Sequence, residues 1–306
     1  MAENAVMTEP SGILVLHKPI GITSHDAVYK IRKLYGTKRV GHTGTLDPLA
    51  EGVLVMLIGR AAKAAEYLVS DKKAYKATLR LGMTTDTEDI TGTVLTRFEG
   101  VLPSDEEVKN AVCSFLGETE QIPPMYSALK VDGKKLCDLA RAGVVVERQP
   151  RKITVFSISS EPCDTEGDYL LDVTCSSGTY IRTLCADIGA ALGCGGTMAT
   201  LCRTMAGGFS IGNAVTLEQL ADITEEERLK LLLPTQSLFE DLAAVRLPAF
   251  YHKLCTNGCE IYQKKIHTSF ELGTRVRLCS ESGEFFALGE VRDYPDGSAI
   301  KAIKFL

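Results

Sequence analysis

The apolar positions in the first part of the chain fall into short runs of strand length. Two are continuous, Ile13 to Leu16 and Val53 to Ile58, whereas Tyr75 to Leu81 alternates apolar and polar positions. Continuous runs are typical of strands buried on both faces, and alternating runs of strands with one polar face. The stretches from Ile153 to Ser159 and from Tyr169 to Cys175 have a similar strand-like pattern. The pattern therefore predicts strands in widely separated parts of the chain.

Helical signals lie between and after these runs. Ser24 precedes apolar residues at helical spacing and is predicted to cap a helix that stops at Gly36. Three hydroxyl residues stand three positions before a Glu or Gln, which is the spacing of a capping box: Ser104, Thr216 and Thr224. The first box is expected to open a helix that runs to Gly117. Further helices are predicted over residues 61–69, 134–142 and 180–192.

Strands and helices follow one another without regular βαβ alternation, which favours an α+β fold over a doubly wound parallel sheet. The pattern changes near Pro234 to Asp241. From Ala244 onward, strand-like runs separated by turns predict a small β-rich module of about sixty residues. We therefore expect one large domain over residues 1–236 and a second, β-rich domain over residues 244–306.

Composition narrows the class of protein. The 306 residues are 45% hydrophobic and 24% charged, as in ordinary globular proteins. No apolar run approaches the ~20 residues of a membrane helix, and the N-terminus lacks the basic and apolar regions of a signal peptide. We therefore expect a cytoplasmic protein with no membrane contact. The 10 cysteines are scattered without zinc-ligand spacing, so we expect reduced thiols and no metal.

The net charge of −5 argues mildly against a nucleic-acid partner, because phosphate binding requires cations. The distribution of charge modifies that conclusion. Residues 9–80 contain 12 Lys and Arg against 6 Asp and Glu, and residues 121–152 contain 7 against 3. A basic RNA-binding face on an otherwise acidic protein and a mixed solvated surface are both compatible with these numbers.

One loop places a single acid among small residues. Gly41 to Gly52 reads GHTGTLDPLAEG and directly precedes the apolar run that starts at Val53. Its glycines permit backbone conformations that a Cβ forbids, and Pro48 restricts Asp47 to extended geometry. Such a loop can present one carboxylate to a bound substrate. An Asp-Pro pair by itself is more typical of a plain turn.

Together with five other segments, this loop resembles the TruB family of tRNA pseudouridine synthases. The segments follow the order of the family's motifs: residues 17–24 (HKPIGITS), 73–82 (KAYKATLRLG), 84–89 (TTDTED), 121–128 (QIPPMYSA) and 177–182 (SGTYIR). The resemblance covers roughly residues 11–220 and is specific in combination. It implies a mixed, mainly antiparallel sheet flanked by helices, with the cleft across the sheet. It also suggests that the β-rich tail is a PUA-like RNA-binding domain, with a plain structural appendage as the alternative.

The activity that the resemblance implies is isomerisation of the T-loop uridine of tRNA to pseudouridine(55). This reaction breaks the uridine N1–C1′ bond and joins C1′ to C5 without redox change or added atoms, so no cofactor is required. The base has to leave its stack first, which costs a few kcal/mol. A carboxylate can then attack covalently or take a proton from C2′. The sequence leaves both routes open.

By resemblance, three residues carry the chemistry: Asp47 as the nucleophile, Tyr75 stacked on the target base, and Arg182 as the guanidinium beside the carboxylate. Without the resemblance, Tyr75 would pass as a core aromatic on a strand and Arg182 as a surface cation. Participation of Tyr75 in removing the C5 proton stays open.

The same resemblance assigns residues around the base. His42 would occupy the space left by the flipped uridine, and Leu201 would line the uracil pocket. Lys18 and Pro19 would support the catalytic loop. One position departs from the family pattern, because Glu51 stands where Thr is more usual. Its carboxylate would either approach the catalytic acid or point to solvent.

A basic insertion over residues 121–152 would, by resemblance, close over the T-arm of tRNA. Lys130 and Arg141 are among its cations. Each cation alone is equally compatible with a solvated surface charge. The partner implied is the T-arm stem-loop, bound by a monomer.

Two other functions remain open from the sequence. Asp47 could be half of a glycosidase carboxylate pair, with an acid of the 84–89 segment about 5 to 10 Å away, although the basic bias of the motif segments argues against it. A non-catalytic protein that binds or refolds tRNA is the second alternative. The joint presence of Asp47, Tyr75 and Arg182 favours an active enzyme.

Overall fold

The computed structural model of the chain describes residues 9–67, 72–127, 129–131 and 133–306. Its α-helices are α1 Ser24–Leu34, α2 Asp105–Cys113, α3 Leu136–Arg141, α4 Ile181–Ala191, α5 Leu217–Asp222, α6 Glu225–Lys230 and α7 Ala249–Thr256. Its strands are β1 Gly12–Lys18, β2 Val40–His42, β3 Glu51–Ile58, β4 Lys73–Leu81, β5 Met83–Thr85, β6 Val94–Arg97, β7 Gly117–Gln121, β8 Lys130–Val131, β9 Lys134–Lys135, β10 Arg151–Pro162, β11 Asp168–Cys175, β12 Gly196–Ala206, β13 Phe209–Ser210, β14 Ala244–Arg246, β15 Ile261–Tyr262, β16 Arg275–Cys279, β17 Phe285–Arg292 and β18 Ala299–Phe305.

The large sheet confirms the predicted α+β architecture. In the described residues it has nine strands, with the order β1-β3-β12-β4-β11-β10-β7 and with β2 on β3 and β13 on β12. All these neighbours are antiparallel except β3 and β12, which are parallel. The sheet is therefore mixed and mainly antiparallel, and β12 joins the strand after the Asp47 loop to the strand that carries Tyr75.

The main core lies between one face of this sheet and the helices α1, α2, α4 and α5. On β4, the buried positions Tyr75, Ala77 and Leu79 alternate with half-buried or exposed ones such as Lys76. This is the alternation that predicted the strand. A smaller apolar cluster on the other face, including Val53 and Val55, covers β1 and β3. Both predicted continuous runs are thus buried on both faces.

Three of the four predicted helix N-caps are confirmed, and one is displaced by a residue. The capping boxes at Ser104, Thr216 and Thr224 are formed. The first helix is capped by Thr23, whose hydroxyl accepts from the Asp26 amide at 3.0 Å. Ser24 is helical instead, and its side chain is bound to the Asp47 loop. A tertiary contact therefore removes Ser24 from the capping role.

Some predicted boundaries were wrong. The helix after Ser104 ends at Cys113, because Gly117, with φ 102°, starts strand β7. The helix predicted over 134–142 covers only α3, since Lys134–Lys135 pairs with Lys130–Val131 as a hairpin. The segment predicted as a helix over 61–69 is a 3-10 helix, Gly59–Tyr67, and its last two predicted residues lie outside the described part.

The tail folds as its own sheet, with the order β14-β16-β17-β18-β15. Its core includes Leu247, Val276 and Ile300. Helix α7 was not predicted, because its short AFYHKLCT pattern lies within a segment that otherwise reads as strands and turns. The tail contacts the 3-10 helix that follows β3, where the Tyr67 hydroxyl donates to the Ile303 carbonyl at 3.2 Å.

Candidate active site

The loop that carries Asp47 lies between β2 and β3 and is held on both sides of the acid. The Ser24 hydroxyl accepts from the Leu46 amide at 2.8 Å and donates to the Leu46 carbonyl at 3.0 Å. After the acid, the Pro48 carbonyl accepts from the Gly21 amide at 2.8 Å. The Asp47 side chain itself is 37% exposed. A fixed backbone therefore presents an accessible carboxylate.

Arg182 faces this carboxylate from the first turn of α4. Its Nε lies 2.9 Å from Asp47 Oδ2, and its side chain is only 5% exposed. Nη1 donates to the Thr87 carbonyl at 3.0 Å, and Nη2 donates to the Tyr126 carbonyl at 2.8 Å. A guanidinium held in this way offers a fixed positive charge and a directed N–H to the acid. The structure brings these two predicted site residues into direct contact.

The TTDTED segment supports the guanidinium from its other side. Asp89 Oδ2 lies 3.7 Å from Arg182 Nη1, while Oδ1 accepts from the hydroxyls of Thr87 and Thr91 at 2.9 and 2.5 Å. The preceding Glu88 has a left-handed φ of 63° and accepts from the Thr183 hydroxyl of α4 at 2.5 Å. Burial raises the pKa of the Glu88 carboxyl. These acids hold the start of α4 and Arg182.

Gln121 fixes the start of α4 as well. Its side-chain Oε1 accepts from the Tyr180 amide at 2.8 Å, and Nε2 donates to the Tyr180 carbonyl at 3.0 Å. Tyr180 has no side-chain cap of its own for α4, and the buried Gln121 satisfies the backbone amide of this N-cap residue. Gln121 begins one of the segments that resemble the family, but no local pattern in the sequence indicates this role.

Tyr75 lies on β4, 6% exposed, opposite Arg203 of β12. Burial raises the pKa of its phenol, and the positive charge of Arg203 opposes that shift. The phenol is therefore protonated near neutral pH and can donate a hydrogen bond. The negative charge of Asp47 adds to the rise in the pKa of this phenol.

Lys18 is fully buried at the end of β1. Its Nζ donates to the carbonyls of Pro19 and Ile22, each at 2.8 Å. Burial lowers the pKa of the Lys18 ammonium to about 8, and the negative charge of Asp47 opposes that change. The Gly21 amide, between these two carbonyl groups along the chain, donates to the Pro48 carbonyl of the Asp47 loop, so Lys18 and Pro19 lie next to a backbone contact with that loop.

Arg203 was not singled out from the sequence. It is 1% exposed, and its guanidinium donates to three backbone carbonyls: Gly44 at 3.0 Å, Thr45 at 3.3 Å and Val53 at 2.7 Å. Two of these carbonyls precede Asp47 and one follows it. The available signal was a charged residue inside the stretch TLCRTMA, whose mixed composition hid the strand β12.

The two residues predicted around the base, His42 and Leu201, lie on β2 and β12. His42 is half-buried at the end of β2, and its Nδ1 accepts from the Gly44 amide at 3.3 Å. Burial lowers the pKa of the His42 imidazole, so the ring is neutral at neutral pH. Leu201 is 7% exposed on β12 and pairs with Ala77. Leu201 also contributes to the main core.

Glu51 begins β3 and pairs with His17 of the neighbouring strand. The distance from Glu51 Oε2 to His17 Nε2 is 3.5 Å, with side chains 41% and 30% exposed. The Glu51 side chain is thus partly exposed to solvent, and its contact with His17 was not predicted from the sequence.

The chain is similar to proteins of a known family. A model described as TruB family pseudouridylate synthase (N terminal domain) matches residues 32–181, and one described as tRNA pseudouridylate synthase B C-terminal domain matches residues 182–240. The protein named tRNA pseudouridine synthase B from Alkaliphilus oremlandii is 46% identical over 285 residues, covering 92% of this chain and 94% of that protein. The chain belongs to the TruB family.

Other similar proteins agree. A tRNA pseudouridine synthase B from Clostridium kluyveri is 43% identical over 284 residues, covering 92% of this chain and 96% of that protein. Among solved structures, a crystal structure of a Cbf5-Nop10-Gar1 complex matches with a TM-score of 0.75 and 28% identity, covering 98% of this chain and 86% of that chain. A structure of an H/ACA RNP bound to a substrate RNA containing 2′-deoxyuridine matches with a TM-score of 0.72 and 25% identity, covering 99% and 92%.

The insertion of this TruB-family chain contains cations in different environments. Lys130 lies in the β8–β9 hairpin. Arg141 ends α3 with a 73% exposed side chain, 3.7 Å from Asp138. Arg148 turns inward, where Nη1 donates to the Pro123 carbonyl at 3.0 Å. Arg148 is therefore bound to the backbone of the insertion, whereas Arg141 is mostly exposed to solvent.

Neither a metal centre nor a membrane span is indicated in the described ranges. Within them, no group of three or more His, Cys, Asp and Glu side chains is arranged to hold a metal ion. No described helix is long and apolar enough to cross a membrane.

Proposed function

We propose that this TruB-family chain is a tRNA pseudouridine(55) synthase, an isomerase of the intramolecular-transferase class that acts without a cofactor. The observation that carries the proposal is the contact between Asp47 and Arg182. An accessible carboxylate on a fixed loop contacts a buried guanidinium, whose other nitrogens are hydrogen-bonded to backbone carbonyls. The curated relatives named tRNA pseudouridine synthase B support the choice of substrate.

In the proposed reaction, the T-loop uridine leaves its stack and enters the space beside Asp47. An oxygen of Asp47 attacks C1′ as the N1–C1′ bond breaks, and the bonding electrons leave with the uracil as an anion. Arg182 stabilises and aims the carboxylate through its Nε–H. His42, neutral and beside the loop, fills the space that the flipped base vacates.

The second half of the reaction rejoins sugar and base. The uracil turns so that C5 attacks C1′, the bond from Asp47 to C1′ breaks, and the carboxylate regains its electrons. A base then takes the C5 proton and N1 takes up a proton, which restores the C5–C6 double bond of the uracil. Tyr75 stacks on the base, and Leu201 lines the apolar side of the uracil pocket. The buried, protonated phenol of Tyr75 needs a proton acceptor of its own before it can take the C5 proton.

The same geometry disfavours the glycosidase alternative. A glycosidase needs a second carboxylate on the other side of the sugar. The candidate for the second carboxylate is Asp89. The Arg182 guanidinium lies between Asp89 and Asp47 and contacts both carboxylates. The guanidinium therefore occupies the space that a sugar ring would need between that pair.

The remaining assignments belong to the same proposal. Residues 1–236 form the catalytic domain, and residues 244–306 form a PUA-like domain that adds RNA contacts. The insertion 121–152 closes over the T-arm, with Lys130 and Arg141 on its RNA side. The protein acts as a monomer in the cytoplasm, where its tRNA substrate is.

The experiment is tritium release from a T-arm stem-loop labelled at uridine C5, with RNA binding measured separately. The wild type is compared with Asp47→Asn, which keeps the shape of the side chain and removes its charge. Asp222→Asn, at the exposed end of α5, is the matched control. We expect release by the wild type and the control, and none by Asp47→Asn with retained binding.

Two outcomes would contradict this proposal. Tight binding without release by the wild type would leave a protein that binds or refolds tRNA. Release by Asp47→Asn at the wild-type rate would show that Asp47 is not the reacting acid.

A further inference from the structure

We propose that Arg203 is a positioning residue that fixes the Asp47 loop and Tyr75 relative to each other. The inference rests on the proposed function, because the geometry that Arg203 fixes is the one used for isomerisation. Arg203 touches no substrate in this proposal. It acts through the backbone of the loop and through the neighbouring strand.

The backbone of Arg203 stands at the junction of the strands that carry the site. On β12, it pairs with Gly52 at the start of β3 and with Tyr75 on β4. The approach to β3 is close: a Cβ on Gly52, where φ is 103°, would lie 2.3 Å from the Arg203 carbonyl oxygen. The end of the catalytic loop is therefore packed directly against this residue.

The side chain of Arg203 then reaches back over the same loop. Its nitrogens bind the carbonyls of Gly44, Thr45 and Val53 at 2.7–3.3 Å. These acceptors lie on both sides of Asp47, so one planar group spans the loop that presents the acid. A lysine ammonium has a single nitrogen and cannot bind three carbonyls that are spread over a guanidinium fork.

Arg203 also lies beside the other proposed catalytic group, because it pairs with Tyr75 across β12 and β4. Its positive charge opposes the rise in the pKa of the Tyr75 phenol. One buried cation therefore links the loop of the nucleophile to the tyrosine that stacks on the base. Reacting groups have to be held near contact distance, and a displacement of about 1 Å can reduce a rate about 100-fold.

The test uses Arg203→Lys, which keeps the charge and loses the fork. Arg228→Lys is the matched control, because Arg228 also binds two backbone carbonyls, those of Leu220 and Ile223 at 3.1 and 2.7 Å, between α5 and α6. Single-turnover tritium release, the Kd of the T-arm stem-loop and the melting temperature are measured for each. Tyr75→Phe is added to complete a double-mutant cycle.

We expect Arg203→Lys to slow release about 100-fold while the Kd changes less than about 3-fold, with Arg228→Lys near the wild-type rate. In the Tyr75→Phe background, the same change should slow release by less than about 10-fold, since coupled residues are not additive. An unchanged rate, a loss of binding equal to the loss of rate, or full additivity would overturn the proposal.

A folding failure also decides the question. If Arg203→Lys does not fold, Arg203→Gln, which retains one amide donor, is measured in its place. If neither variant folds, Arg203 is a determinant of the fold and the positioning role is refuted. An inactive wild type would instead refute the proposed function, whereas an active wild type with an equally active Arg203→Lys refutes only this inference.

Discussion

Replacing Arg182 with Lys tests the central contact of the site. The change keeps a positive charge near Asp47 but removes the planar group that binds the acid and two backbone carbonyls together. A lysine ammonium can replace only some of these bonds, since it is a single point of charge. We expect the carboxylate to lose its directed N–H and the Tyr126 carbonyl to lose its donor.

The expected loss of rate depends on how exposed the Asp47 carboxylate is to solvent. A hydrogen bond to a charged group contributes about 1.5–3 kcal/mol. Because Asp47 is 37% exposed, water screens the contact, and the lower part of that range applies, about 1.5–2 kcal/mol. If this contact is used in the transition state, the rate falls about 10- to 30-fold. Loss of the carbonyl bonds should lower the free energy of unfolding by about 1–2 kcal/mol.

Single-turnover tritium release and urea denaturation measure the two effects. The control is Arg80→Lys, because Arg80 binds Asp168 through two nitrogens at 2.7 and 2.6 Å on the same sheet, away from the Asp47 loop. It should lower stability by a similar amount and leave the rate within about 3-fold. An Arg182→Lys rate equal to the wild type, or an equal slowing by Arg80→Lys, would refute the reasoning.

Two further predictions concern stability. Burial lowers the pKa of Lys18 from 10.5 to about 8, so between these pH values the unfolded chain binds more protons. The free energy of unfolding of the wild type relative to Lys18→Met should therefore rise by up to about 3 kcal/mol from pH 8 to 10.5, as followed by denaturant titration; a flat or falling difference would contradict the burial argument. Gly52→Ala should lower the free energy of unfolding by at least about 3 kcal/mol, because the added Cβ clashes with the backbone of Arg203. Gly117 has a φ of 102° and nothing within 4 Å of an added Cβ, so Gly117→Ala should lower it by about 1–2 kcal/mol. Equal melting temperatures for these two variants would count against the close approach.

Local patterns predicted the elements whose signals are local. The capping boxes at Ser104, Thr216 and Thr224 formed because both partners lie within one turn. The alternation of Tyr75 to Leu81 gave β4 because one face of that strand is buried. The displaced cap at Thr23 shows the limit, since Ser24 is bound by Leu46, 22 residues away. No local pattern contains that contact.

Sequence motifs predicted some residues of the candidate site. Residues whose role depends on tertiary packing were not predicted. The motifs led to Asp47 and Arg182, which the structure places 2.9 Å apart. Gln121 and Arg203 were not predicted as site residues. The role of a buried polar side chain depends on the backbone carbonyls and amides that it binds. Those partners come from segments far away in the sequence.

The central place of β12 has a consequence for synthesis of the protein. This strand, Gly196–Ala206, separates β3 from β4 in the sheet although both precede it by more than a hundred residues. Between the end of β4 at residue 81 and the end of β12 at residue 206 the ribosome adds 125 residues, and during this interval β3 and β4 have no partner on their facing edges. At about 5–20 residues per second, the interval lasts roughly 6 to 25 s. The exposed edges of β3 and β4 can then pair with strands of other chains. The nascent chain is therefore most prone to aggregation just before β12 completes the sheet around the candidate site.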